Sequence, residues 1–151
     1  MNERIFQKIK IKGYLAIGFS LAGFLFVFVV HRFFPSLHRG PGASRLSSII
    51  GLMGTTLFCV AIPILLRTGF FQKSTKTKGL DSKKFIHMEL ACIISVCIGE
   101  LFMLVSYYIP IYTYHLYLTV LVGIYGIYSI FPSKESYKKE LSSFGVHDDK
   151  D

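Results

Sequence analysis

The sequence predicts an all-α integral membrane four-helix bundle with a short amphipathic cytoplasmic helix at its C-terminal end, and three observations carry that prediction. Over 151 residues the chain is 52% hydrophobic and 15% aromatic, with a mean hydropathy of +0.49, which is too apolar for an ordinary soluble domain. The apolar residues gather in four runs, at about 13–34, 46–66, 85–109 and 111–131, each close to the roughly 20 residues that cross about 30 Å of hydrocarbon. Within each run the hydrophobicity continues all round the helix, and charges stop at the edges. Residues 1–131 are therefore read as one four-span domain and 132–151 as a tail.

Charge sets the threading. The net charge of +8 would suit a nucleic-acid binder if it lay on one soluble face, but it is divided by the spans. Of the 17 Lys and Arg, only Arg32, at the outer edge of the first run, and Arg39 and Arg45, between the first and second runs, fall on the outer side. The rest precede the first run, separate the second from the third, or follow the fourth. By the positive-inside rule both termini are cytoplasmic and the host is expected to be the plasma membrane, with no nucleic acid as partner.

Residues Asn2 to Lys12 alternate basic and apolar side chains, an orientation signal or a segment lying on the anionic inner leaflet. The first run exceeds a secretory h-region and lacks an A-x-A site, so it reads as an uncleaved anchor. Gly13, Ala16, Ser20 and Gly23 put small residues at three- and four-residue spacing, where another helix can approach closely. Phe33-Phe34-Pro35 ends the helix, because proline disfavours helical geometry in the residue before it. In the outer loop, Arg39, Gly40, Gly42, Ser44 and Arg45 form a turn that offers backbone amides and guanidinium groups to a lipid headgroup or another anion, with Ser44 as the expected cap of the second span.

The second span carries Gly51, Thr55, Cys59 and Pro63 at strict four-residue spacing, one face of small or weakly polar groups with a bend expected at Pro63. A basic connection, Thr68 to Lys84, follows, with Asp81 or Ser82 capping the third span. Only Tyr108-Ile109-Pro110-Ile111 joins the third and fourth spans, which predicts an antiparallel hairpin. Tyr107, Tyr108, Tyr112, Tyr114 and Tyr117 crowd its outer end and Tyr125, Tyr128 and Phe131 its inner end, as aromatic belts do. In the tail, Tyr137, Leu141 and Phe144 form a stripe at i, i+4 and i+7 suited to docking on a membrane or a partner. Cys59, Cys92 and Cys97 lie within spans, without disulfide or CxxC spacing, and read as small apolar residues.

The chemistry available is sparse. Glu89 and Glu100 share a face of the third span, but eleven residues set them about 16 Å apart in depth, too far for two carboxylates acting on one bond. Glu89 is at the inner boundary beside His87, Lys83 and Lys84. Glu100 has no charged residue at i±3 or i±4 and must face the bundle interior, a water cavity or another subunit. The polar intramembrane site is therefore read as Glu100 with His115, Thr119, Tyr112 and Thr55, the hairpin bringing His115 within about one turn of Glu100. Arg32 and Arg67 stand at span ends. No HExxH, P-loop or serine–histidine–acid pattern occurs, so no catalytic residue and no metal ligand is assigned.

Three functional readings follow. The first is a non-enzymatic accessory, scaffold or binding subunit that meets lipid, other membrane proteins or its own copies. A second makes Glu100 and His115 part of a proton, cation or small-solute route. In a third, His31 and His115 hold a b-type haem, although both are near helix ends and His87 is at the opposite one. The expectation is a chain without a cofactor.

Overall fold

A computed structural model describes residues 3–33, 44–77, 82–131 and 133–144. All of the regular structure in them is helical: α1 (Glu3–Phe33), α2 (Arg45–Thr56), a π-helical turn (Leu57–Ala61), α3 (Ile62–Thr77), α4 (Ser82–Ser106), α5 (Thr113–Ser129) and α6 (Lys134–Phe144). Three stretches are long and apolar enough to cross a membrane, Ile9–Val30, Arg45–Thr75 and Lys83–Ser106. The fourth expected span is the 17-residue α5, about 26 Å long.

Two helices run past the ends read from the sequence. No proline separates the basic N-terminal segment from the first span, so both are one helix from Glu3. Likewise α3 continues through Thr77, where the sequence suggests a loop from Thr68. The cause is tertiary: Phe70, Phe71 and Ser74 find partners at the end of the bundle away from the hairpin turn.

The distribution of side chains is that of a protein whose solvent is lipid. Many of the fully or nearly buried residues are small or polar, among them Ser20, Ser48, Thr55, Ser95, Ser106 and Thr119, while Leu15, Leu25, Phe26, Phe28, Leu65 and Leu121 stand open. Water would drive the second group inward; hydrocarbon does not, and close helix approach then favours the first. Four of the buried hydroxyls turn back on the carbonyl four residues before them, Ser48 to Ser44 O at 2.9 Å, Thr55 to Gly51 O at 2.9 Å, Ser106 to Phe102 O at 2.7 Å and Thr119 to His115 O at 2.8 Å.

At the centre is α4, packed against α1, α2, the π turn, α3 and α5. The small residues of α1 serve this contact: Ala16 and Ser20 are buried, and a Cβ at Gly23 would strike Leu104. Gly51, Thr55, Cys59 and Pro63 are likewise all buried. A strict four-residue spacing drifts by roughly 40° per step around an α-helix, and the π turn between Thr55 and Pro63 offsets that drift.

Pro63 also accounts for that turn. The Ile62 amide donates to Leu57 O, five residues back, and in this register the carbonyl of Phe58 faces position 63, which has no N–H. Ser95 of α4 supplies the missing donor, its Oγ 2.7 Å from Phe58 O. A backbone carbonyl without water is thereby satisfied.

The hairpin is closed at its turn by α2. Pro110 O accepts from the Ser44 amide at 3.0 Å, and the Tyr112 amide donates to Ser48 Oγ at 3.0 Å.

Candidate functional site

Two polar centres stand out, one deep in the bundle and one at its end away from the hairpin turn. Glu100 makes the first. It is 0% exposed, and neither carboxylate oxygen has a hydrogen-bond partner. A Cβ added at Gly123 of α5 would lie 3.2 Å from Glu100 Oε1, and one at Gly99 would fall against Cys59 Sγ. The carboxyl is thus buried against α5 at Gly123, while the adjoining Gly99 packs on the π turn.

His115 does not bond to it. The carboxyl lies level with Gly123, eight residues and about 12 Å further along α5 than His115. The reason is direction: long helical side chains lean toward their own N-terminus, so in antiparallel helices Glu100 leans away from the hairpin turn and His115 toward it. His115 lies instead beside Tyr114, ring centroids 4.2 Å apart, and Tyr112 at 5.9 Å, with its buried Nδ1 unpartnered.

The other residues singled out from the sequence divide between these surroundings and elsewhere. Thr55 and Thr119 are buried, their hydroxyls committed to Gly51 O and His115 O. Tyr112 is exposed and contributes its backbone amide to Ser48. Ser44 occupies the cap position of α2 without a side-chain capping bond, and Arg45 is exposed. Arg39, Gly40 and Gly42 lie outside the described residues, as does the side chain of His31. Among the described residues no group of three or more His, Cys, Asp or Glu is placed to hold a metal ion. All three cysteines are free thiols.

The second centre gathers residues that the sequence leaves apart. Arg67 Nη2 is 3.6 Å from Glu89 Oε1 of α4 and Nη1 is 3.7 Å from Glu140 Oε1 of α6, while Nη2 donates to Ser129 O of α5 at 3.5 Å. One guanidinium therefore ties α3 to three other helices through its fork of donors. A cavity of about 480 Å³ opens beside it, lined by Arg67, Tyr125, Tyr128, Ser129, Phe131 and Ser133, a volume in the range of small-molecule sites. The available signal was an arginine ending one apolar run and a glutamate opening the next at the same depth. Nothing local points to Glu140.

Below this hub the tail helix closes the bundle. Phe144 joins Phe6, Ile9, Phe85 and Met88 in one apolar cluster, meets Phe71 and Phe85 edge to face, and its carbonyl accepts a short hydrogen bond from Ser74 Oγ. The docking surface expected for a membrane or partner is, at Phe144, turned onto the chain's own helices α1 and α4. Phe6 and Ile9 are drawn into the same core. Phe144→Ala is expected to release α6: amide hydrogen exchange and protease cleavage over residues 134–144 should rise at least tenfold while Lys83–Ser106 stays protected. Unchanged protection of α6 would refute the docking role.

Comparison with known protein families, with curated proteins and with solved structures finds no match to this chain.

Proposed function

We propose that this chain is a non-enzymatic accessory or binding subunit of a membrane complex, spanning the bilayer four times with both termini cytoplasmic. The observation that carries this reading is the placement of α1, which rests on α4 along one side and leaves Leu15, Leu21, Leu25, Phe26 and Phe28 open. That face suits a neighbouring membrane helix as well as lipid. The glycine faces, by contrast, are used inside the chain, where Cβ atoms at Gly51, Gly54, Gly99, Gly123 and Gly126 would strike neighbouring helices. As a fourth span, α5 is completed by the apolar Ile109, Ile111, Ile130 and Phe131 at its two ends.

The cavities described at the inner end, the one beside Arg67 and a smaller one along α3 at Leu65, Leu66, Gly69, Phe70 and Lys73, are lined by neither Glu100 nor His115. This favours a binding subunit over a conducting route through that pair.

A photoreactive residue at Phe26 is expected to give one discrete adduct with another membrane protein in native membranes, and the same residue at Val27, on the buried face, none. Isolation as an inert monomer with no adduct at any open α1 position would overturn the reading. Single cysteines at residues 2 and 148 are expected to react with a membrane-impermeant thiol reagent only from the cytoplasmic side, and one at residue 39 only from outside.

A further inference from the structure

We infer that Glu100 is a proton-binding site sealed inside the bundle, occupied as a neutral carboxylic acid while α5 lies against α4. Its ligand is the proton itself. The side chain is 0% exposed and both its oxygens lack a donor, whereas a buried carboxylate is stable only with a counter-charge or several hydrogen bonds.

Among the described residues, no element packed on α4 supplies such a group. From α2 and the π turn come Thr55, whose hydroxyl is bonded to Gly51 O, and Cys59, whose thiol points to Val96 O at 3.9 Å. On α5 the Thr119 hydroxyl is bonded to His115 O, and His115 lies about two turns outward of Gly123, level with the carboxyl. Cys97 shares the neighbourhood on α4 itself. The α1 surface toward α4 presents Ala16, Ser20 and Gly23, none of them ionisable. The basic side chain nearest along the second helix is Arg67, eight residues beyond Cys59 and already paired with Glu89 and Glu140.

The site is also closed. Gly123 lies over Oε1 so tightly that a methyl group there would press on it, and Gly99 and Gly126 bring the π turn equally close to the adjoining helices. Proton exchange with water therefore requires α5 to part from α4. Loss of the proton and opening of that contact are linked, because a bare carboxylate is tolerated only once water reaches it.

The full chain, reconstituted in phosphatidylcholine vesicles at neutral pH, tests this by infrared absorption. A carbonyl stretch of a protonated carboxyl is expected, lost in Glu100→Gln and kept in Glu89→Gln. If Glu100→Gln removes carboxylate absorption instead, the proposal fails.

Dicyclohexylcarbodiimide gives a second readout on the unmutated chain. It adds to a neutral carboxyl: the acid proton passes to one nitrogen, the oxygen bonds the central carbon, and acyl migration to nitrogen leaves a stable N-acylurea with nothing lost. The reagent, like water, reaches the carboxyl only as α5 parts from α4, so an adduct of the whole reagent's mass on the peptide containing Glu100 is expected to accumulate slowly, its yield falling at least fivefold when the vesicles are made alkaline. A yield at Glu100 indifferent to pH, or labelling there as fast as at an exposed carboxyl, would overturn the assignment.

Discussion

Gly99→Leu is expected to destabilise the bundle by about 3 kcal/mol, the upper part of the range for overpacking a filled interior. A Cβ at residue 99 meets Cys59 Sγ and lies 3.1 Å from the Cys59 backbone nitrogen and 3.2 Å from Phe58 Cβ. The sulfur can rotate away, but the nitrogen belongs to the π turn and cannot move without the helix. That turn is already committed, since Ser95 holds the Phe58 carbonyl and Gly126 abuts Cys59 from the other side. The new side chain must therefore separate α4 from the second helix. Gly18 of α1 is the control: nothing lies within 4 Å of a Cβ there, so Gly18→Leu faces lipid and should shift stability by no more than about 0.5 kcal/mol. Unfolding in mixed micelles, followed by the accessibility of Cys59 and Cys97 to a thiol reagent, measures both. Equal effects of the two substitutions would contradict close packing at Gly99.

Much of the membrane architecture is legible in the sequence because lipid imposes a one-dimensional rule. A run such as Leu46 to Leu66 must be helical to satisfy its own backbone, whatever surrounds it. The hairpin at Tyr108 to Ile111 is legible for a similar reason, as so few residues leave the two helices only one way to lie. The face Gly51, Thr55, Cys59 and Pro63 can be read from spacing, although the π turn that keeps it on one side cannot. That turn depends on Ser95, thirty-seven residues away from Phe58.

Side-chain direction escaped the linear reading. Depth along the hairpin sets Glu100 and His115 within about a turn of each other, yet depth follows the Cα atoms and chemistry follows the side-chain ends. Opposed lean in antiparallel helices separates them and sets the carboxyl against Gly123. Tertiary docking escaped as well. Phe144 was visible as part of an apolar stripe, but nothing near it in the chain says whether the stripe meets lipid, a partner or Phe6 and Phe85. The same docking carries Glu140 to Arg67.

Arg67→Ala is expected to cost about 3 kcal/mol, the lower part of the range for breaking a buried pair from one side. The size follows from asymmetry of burial. The Glu89 side chain is 8% exposed against 31% for Arg67 and 26% for Glu140. Removing the guanidinium leaves Glu89 enclosed in α4 without its cation, while Glu140 turns to water. Glu140→Gln alone should therefore cost less than about 1 kcal/mol, as exposed pairs do.

Glu89→Gln removes the charge that needs neutralising, so the double variant Arg67→Ala/Glu89→Gln should regain at least half of the loss. A coupling energy of about 1.5 kcal/mol or more is expected from that cycle. Guanidinium packing alone predicts a different pattern, in which Arg67→Met is nearly neutral and Glu89→Gln rescues nothing. Thermal unfolding of the unmutated chain, Arg67→Ala, Glu89→Gln, the double variant and Arg67→Met in one detergent decides between them. Loss of α6 protection in Arg67→Ala, restored by neither partner substitution, would show that the arginine also holds the tail helix through Glu140.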